Sequence, residues 1–283
     1  MSTTAELKAL AWRRLWAEKW FGRLFGGGLL LGLCGYAVQL ALGVALEHLN
    51  VQTWEDYVRA VIANRQTLTT PIPNLTPDYV FQATSSTVLI LFFSYLMAGI
   101  AAYGTAVILL KCLKNDDRNW LEEAFGGFKC PFGMLWLFTR YILIFVGWGL
   151  FLVVPPLGIW LMTVAFYRYR FLFLVKAEHP DWSAGECLRF CRKLMDGHKK
   201  DSFRLDCAYW KPITVVLLLA LTVMCGACLT LLLKDNGAIV SLVSAGGLVA
   251  VVACCVASVV CGQYISVGQG FLYRDLKEVG SGE

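Results

Sequence analysis

Long apolar runs alternate with short polar segments along the whole chain. Six runs, at about residues 24–46, 87–110, 132–154, 157–175, 213–233 and 239–267, each have the length of a membrane span. A hydrocarbon core about 30 Å thick calls for ~20 consecutive apolar residues in a helix, because no water is present there to satisfy a free N–H or C=O. The pattern predicts an all-α fold, a polytopic transmembrane six-helix bundle with amphipathic interfacial helices on its cytoplasmic side. Residues 1–23 are expected as an interfacial helix, 24–275 as the six-span domain and 276–283 as a tail.

Between the runs, helical spacing recurs in polar surroundings. Trp12, Trp16 and Trp20 stand four apart among basic residues, and indole rings prefer the headgroup region. Trp54, Val58, Val61 and Ile62 predict a short amphipathic helix that Pro71 and Pro73 break. Thr76 and Pro77 then supply an N-cap and a first-turn proline, and apolar character continues to Leu113. A helix from 77 to 114 would be roughly 57 Å long at 1.5 Å per residue. Trp120, Leu121, Ala124, Phe125 and Phe128 predict another short helix before Pro131. Ser183 and Glu186 form a capping box for a helix reaching Met195, which Gly197 can end. Its apolar face is Cys187, Leu188, Cys191, Leu194 and Met195, so it is expected to lie against the bundle.

Composition agrees with this pattern. Hydrophobic residues make up 58% and charged residues 16% of the 283, too few charges to coat a soluble surface, and the mean hydropathy is +0.60. More than twenty residues of mixed charge precede the first run, which is therefore read as a retained span and not a cleavable signal. Lysine and arginine are distributed unevenly: 21 fall in the N-terminus and in alternate loops, against 3 in the remaining loops, with Arg140 inside a span. The positive-inside rule puts the richer side, and both termini, in the cytoplasm. The net charge of +5 is then a topology signal and an attraction to anionic lipid; no nucleic-acid motif accompanies it. The eleven cysteines lie in spans or on the basic side, which argues against a disulfide framework.

A search for catalytic chemistry returns no candidate residue. His48, His179 and His198 are scattered, and no span carries an internal Asp or Glu. Cys225 and Cys228 make one C-x-x-C inside a span with no second pair, so neither a metal nor another cofactor is expected. Arg140, Arg168 and Arg170 stand out, with Tyr141, Tyr167 and Tyr169 beside them. Counted from Pro155–Pro156, Arg140 and Arg170 are about equally distant, so antiparallel packing would put them at similar depth. Two readings stay open: the arginines snorkel to headgroups, or they line an inward-facing cavity for an anionic group such as a phospholipid headgroup. The last span offers a packing signal. Gly246, Ala250, Cys254, Ser258, Gly262, Ser266 and Gly270 recur every four residues, and such a series winds around a 3.6-residue helix, so this span should be central and touch more than one neighbour.

The segment Tyr167-Arg-Tyr-Arg-Phe-Leu-Phe-Leu-Val-Lys-Ala-Glu-His-Pro180, followed by Cys191-Arg-Lys-Leu-Met-Asp-Gly-His-Lys199, resembles the bacterial multipass membrane proteins of domain-of-unknown-function family 975. Glu6-Leu7-Lys8 and Phe125-Gly-Gly-Phe-Lys129 are similar too. This chain has Cys191 where the family favours serine, and Asp206-Cys-Ala-Tyr-Trp210 where it favours a more apolar sequence. The resemblance implies six spans, a cytoplasmic-membrane location and a fold relation to the membrane domain of some glycerophosphodiester phosphodiesterases. It implies no activity.

Three functions follow as expectations. The first is a non-enzymatic protein that binds or organises lipid or partner proteins at the inner leaflet. The second is a transporter or channel for a small or anionic solute; the third is an enzyme acting on phospholipid or phosphodiester groups. Expected partners are membrane lipids with anionic inner-leaflet headgroups, and a membrane-protein partner or a second copy of the chain.

Overall fold

Local signals set most of the helix ends. The computed structural model describes residues 2–18, 20–49, 51, 53, 56–58, 60–62, 76–116, 119–232 and 237–280, and side chains outside 226–249 and 280. Helix α1 (Thr4–Ala17) starts with a capping box between Thr3 and Glu6 and stops at Glu18, so α2 (Trp20–His48) is a separate helix. Helix α3 (Pro77–Lys114) begins where Thr76 accepts from the Tyr79 N–H and ends on Asn115 in the left-handed conformation (φ 51°). Its 38 residues match the long second helix predicted from Thr76–Pro77.

The next connection departs from a single helix: α4 (Trp120–Ala124) passes into a 3₁₀ turn, Phe125–Lys129. Helix α5 (Pro131–Gly149) continues as 3₁₀ through Leu150–Val153, and Pro155 opens α6 (Pro155–Arg168). A Cβ on Gly158 would lie 2.6 Å from the Leu152 nitrogen, so this tight hairpin requires glycine there. The fourth apolar run is not one helix. It breaks over 169–171 and resumes as α7 (Leu172–Glu178).

Helix α8 (Ala184–Leu194) has the predicted Ser183–Glu186 capping box, and Gly197 follows it with φ +83°. Then come α9 (Lys199–Ala208), α10 (Trp210–Leu232) and α11 (Gly237–Gly280), the last carrying helix through most of the expected tail. Of the helix predicted from Trp54, Val58, Val61 and Ile62, residues 56–58 and 60–62 are helical, whereas Trp54, the break at Pro71 and Pro73, the turn at Lys234, and the side chains of Cys228 and Gly246 lie outside the described residues.

Among the described residues there is no strand. Five helical segments are long and apolar enough to cross a membrane, or up to six if α9 and α10, bent by 57° at Tyr209, count as one. The core is concentrated at one end of the bundle. There α1, α7, α8 and α9 pack around the C-terminal halves of α3 and α11, burying Leu15, Trp20, Ile108, Phe171, Cys191, Leu205, Tyr209 and Phe271. Glycine permits the closest approach: a Cβ on Gly104 would lie 2.7 Å from the Ala124 carbonyl oxygen, and one on Gly268 would collide with the Tyr209 hydroxyl.

The most buried span is α3, with 67% of its apolar window covered, against 17% for α11. Among the described residues α3 is thus the most enclosed of these helices, and α11 is buried at its packed end, at Cys261, Tyr264, Val267, Phe271 and Leu276. Trp12 and Trp16 point outward from α1 as interfacial anchors would, but Trp20 is buried and stacks on Phe271 at 5.8 Å.

Candidate functional site

The break at 169–171 presents Arg170 to α9, where it meets an acidic residue. Asp206 accepts from Arg170 Nη1 at 2.8 Å and Nη2 at 3.1 Å. The Tyr167 hydroxyl donates to Asp206 Oδ2 (2.9 Å) and Gln269 Nε2 donates to Oδ1 (2.7 Å). Four donors thus fill the acceptor sites of this carboxylate. Gln269 in turn accepts from the Ser202 hydroxyl at 3.0 Å, so α6, α9 and α11 share one polar network.

No apolar run carries an internal acid, but Arg170 finds one outside the runs, in α9. Asp206 belongs to no apolar run, and only its departure from the more apolar family pattern hinted at a role. With the charge of Arg170 matched, the six predicted residues do not form one cationic pocket. Tyr167 is committed to Asp206. Arg140 lies over the Trp136 ring at 4.9 Å and beside Gly185 of α8. Arg168 is partly exposed, and its buried Nε has no hydrogen-bond partner among the described residues. Tyr169 packs on the main core.

Tyr141 and Arg170 do meet across a cavity of about 500 Å³. Thr105, Gln263, Ser266 and Gln269 supply its other polar groups, and Leu24, Leu109, Phe166 and Phe173 are among its apolar walls. The cavity is amphipathic and close to neutral. Its described lining includes the packed half of α3 and the second half of α11, together with residues of α2, α5, α6 and α7.

A second space, about 910 Å³, opens between α10 and α11 beneath Trp12. Its walls are Pro212, Val215 and Val216 on one side and the 252–264 stretch of α11 on the other.

The small-residue series on α11 serves several contacts. Gly270 faces Leu113 and Leu109 of α3, Cys254 lies 4.0 Å from the Val216 carbonyl of α10, and Gly262 and Ser266 line the amphipathic cavity. Ser258 and Ser266 turn their hydroxyls back onto the helix, donating to the carbonyls of Cys254 and Gly262. The tightest contact, at Gly268, lies outside the series and could be recognised only once Tyr209 was placed beside it.

At the packed end, Lys176 donates to the carbonyls of Pro180 and Trp182, both at 2.6 Å, and Glu178 accepts from Tyr273 and Lys277. These contacts fasten α7 to its following turn and to α11. Burial pushes the Cys187 and Cys191 thiols up, as expected for apolar packing residues rather than nucleophiles. No protein-family model, curated protein or solved structure matches the chain. Its functional reading therefore rests on the residues themselves.

Proposed function

We propose that the chain is a six-span protein of the cytoplasmic membrane, with both termini and the packed end in the cytoplasm, that binds lipid at the inner leaflet without catalysing a reaction. Membership of the family that 167–199 resembles is part of the same proposal. The 21-to-3 distribution of lysine and arginine supports the orientation, since the basic segments include those that form the packed end. In this orientation α1, α4 and α8 are the cytoplasmic interfacial helices.

The observation that carries the lipid reading is the 500 Å³ cavity, where Arg170, Tyr141 and Gln263 meet apolar walls. An amphiphile suits such a lining, its polar group on the hydrogen-bond donors and its chain on Leu24, Leu109 and Phe173. The test is lipid retention by the purified full-length protein, read by native mass spectrometry. Ser266→Leu, which fills the cavity, is expected to remove a bound lipid. Unchanged retention in a folded Ser266→Leu protein would sink the reading, and uptake of a labelled solute into proteoliposomes would favour transport.

A further inference from the structure

We infer that the groove between α10 and α11 is a separate site for one acyl chain of an anionic phospholipid, with its headgroup beside α1. The lining is Trp12, Pro212, Val215, Val216, the 252–264 face of α11 and its small residues Ala253 and Ala257, almost all apolar. From Val252 to Tyr264 is twelve residues, roughly 18 Å at 1.5 Å per residue. One leaflet of a bilayer core is about 15 Å deep. The described stretch of the groove is thus about as long as the single leaflet that one acyl chain occupies.

Charge at the mouth selects the headgroup. Trp12 packs edge-on against Tyr264 at 5.2 Å, and the Tyr264 hydroxyl donates to the Lys8 carbonyl, which fixes α1 across the end of the groove. Arg13, next to Trp12, is exposed, and so is Lys211, next to Pro212. The nearby acids are engaged elsewhere: Glu6 closes its capping box, Glu18 pairs with Arg14, and Asp206 holds Arg170. Two exposed cations, each the chain neighbour of a lining residue and one of them, Lys211, over the Trp210 ring at 5.9 Å, suit a phosphate-bearing lipid. The inference deepens the lipid reading but uses residues distinct from the Arg170 cavity, so the two can fail separately.

The experiment reconstitutes full-length protein in nanodiscs of phosphatidylglycerol and phosphatidylcholine at a ratio of 1:3 and counts retained lipids by native mass spectrometry. Ala257→Trp is expected to lose one phosphatidylglycerol that Ser266→Leu keeps. The surface pair Arg13→Gln/Lys211→Gln, which leaves the packing intact, is expected to weaken phosphatidylglycerol retention by about 30-fold, at ~1 kcal/mol per charge. Unchanged phosphatidylglycerol retention in the Gln pair would overturn the proposal even if the tryptophan variant failed to fold. A wild-type oligomer that Ala257→Trp breaks into monomers, with lipid unchanged, would also overturn it and make the groove a protein interface.

Discussion

Arg170 and Asp206, thirty-six residues apart, form a two-point ion pair in which both carboxylate oxygens take a guanidinium nitrogen, at 2.8 and 3.1 Å. Their side chains are 16% and 19% exposed, enough cover to make a lone charge costly. Breaking a fully buried pair costs about 3–5 kcal/mol, and partial exposure lowers that. Asp206→Asn is therefore expected to destabilise by about 2–3 kcal/mol, and Arg170→Gln in the same background to recover part of it. Thermal unfolding of the two single variants and the double variant in detergent measures the coupling. Additive losses would mean that the pair contributes nothing of its own.

Close approach at Gly104 gives a second prediction. Gly104→Ala would drive a methyl group into the Ala124 carbonyl and Leu31, and overpacking of this kind costs about 1–3 kcal/mol. Gly32, on the neighbouring helix, has no atom within 4 Å of its Cβ position, so Gly32→Ala should be neutral or stabilising. A melting-temperature comparison of the two variants decides the point.

Thiol chemistry separates core from surface and reports orientation. Cys187 and Cys191 are fully buried and Cys130 is exposed. A membrane-impermeant maleimide should label Cys130 in inverted vesicles and leave it unlabelled in intact cells, whereas Cys187 and Cys191 should label only after denaturation. Peptide-level mass spectrometry reads each site. Labelling of Cys130 from outside would reverse the proposed topology.

Acid should loosen the first turn of α8. The Ser183 hydrogen bonds hold the Glu186 carboxyl below its usual value of 4.5. A carboxylate with a depressed folded-state pKa contributes stability that is fully present above the unfolded value and is lost as the pH falls through the folded one. Hydrogen exchange at 184–187 is therefore expected to quicken, relative to the rest of α8, below about pH 4.5, and Glu186→Gln should remove that pH dependence.

Features written in a few adjacent residues were legible without coordinates. Thr76 with Pro77, and Ser183 with Glu186 and Gly197, announce helix ends because a cap is a contact within one turn. What stayed hidden was which face of each span meets protein. In a soluble helix the apolar stripe marks the core, but in lipid both faces are apolar, so the 67% cover of α3 left no mark that α2 lacked. Burial of Trp20 leaves no mark in the sequence for the same reason, since an indole suits a headgroup region or a core equally well. The Arg170–Asp206 pair was missed because it joins a span to a helix well beyond its end, a distance over which spacing carries no information.

Gathering the core at one end has a mechanical consequence. The apolar windows of α2 and of the α5 segment are only 11% and 6% covered by protein, while at the packed end Glu178 of α7 pairs with both Lys114 of α3 and Lys277 of α11. A thinner or thicker bilayer would tilt the loosely held rods about that anchored base and leave the anchor intact. Lipid thickness would then set the splay of the far ends, as a hand sets the spread of a fan whose rivet does not move.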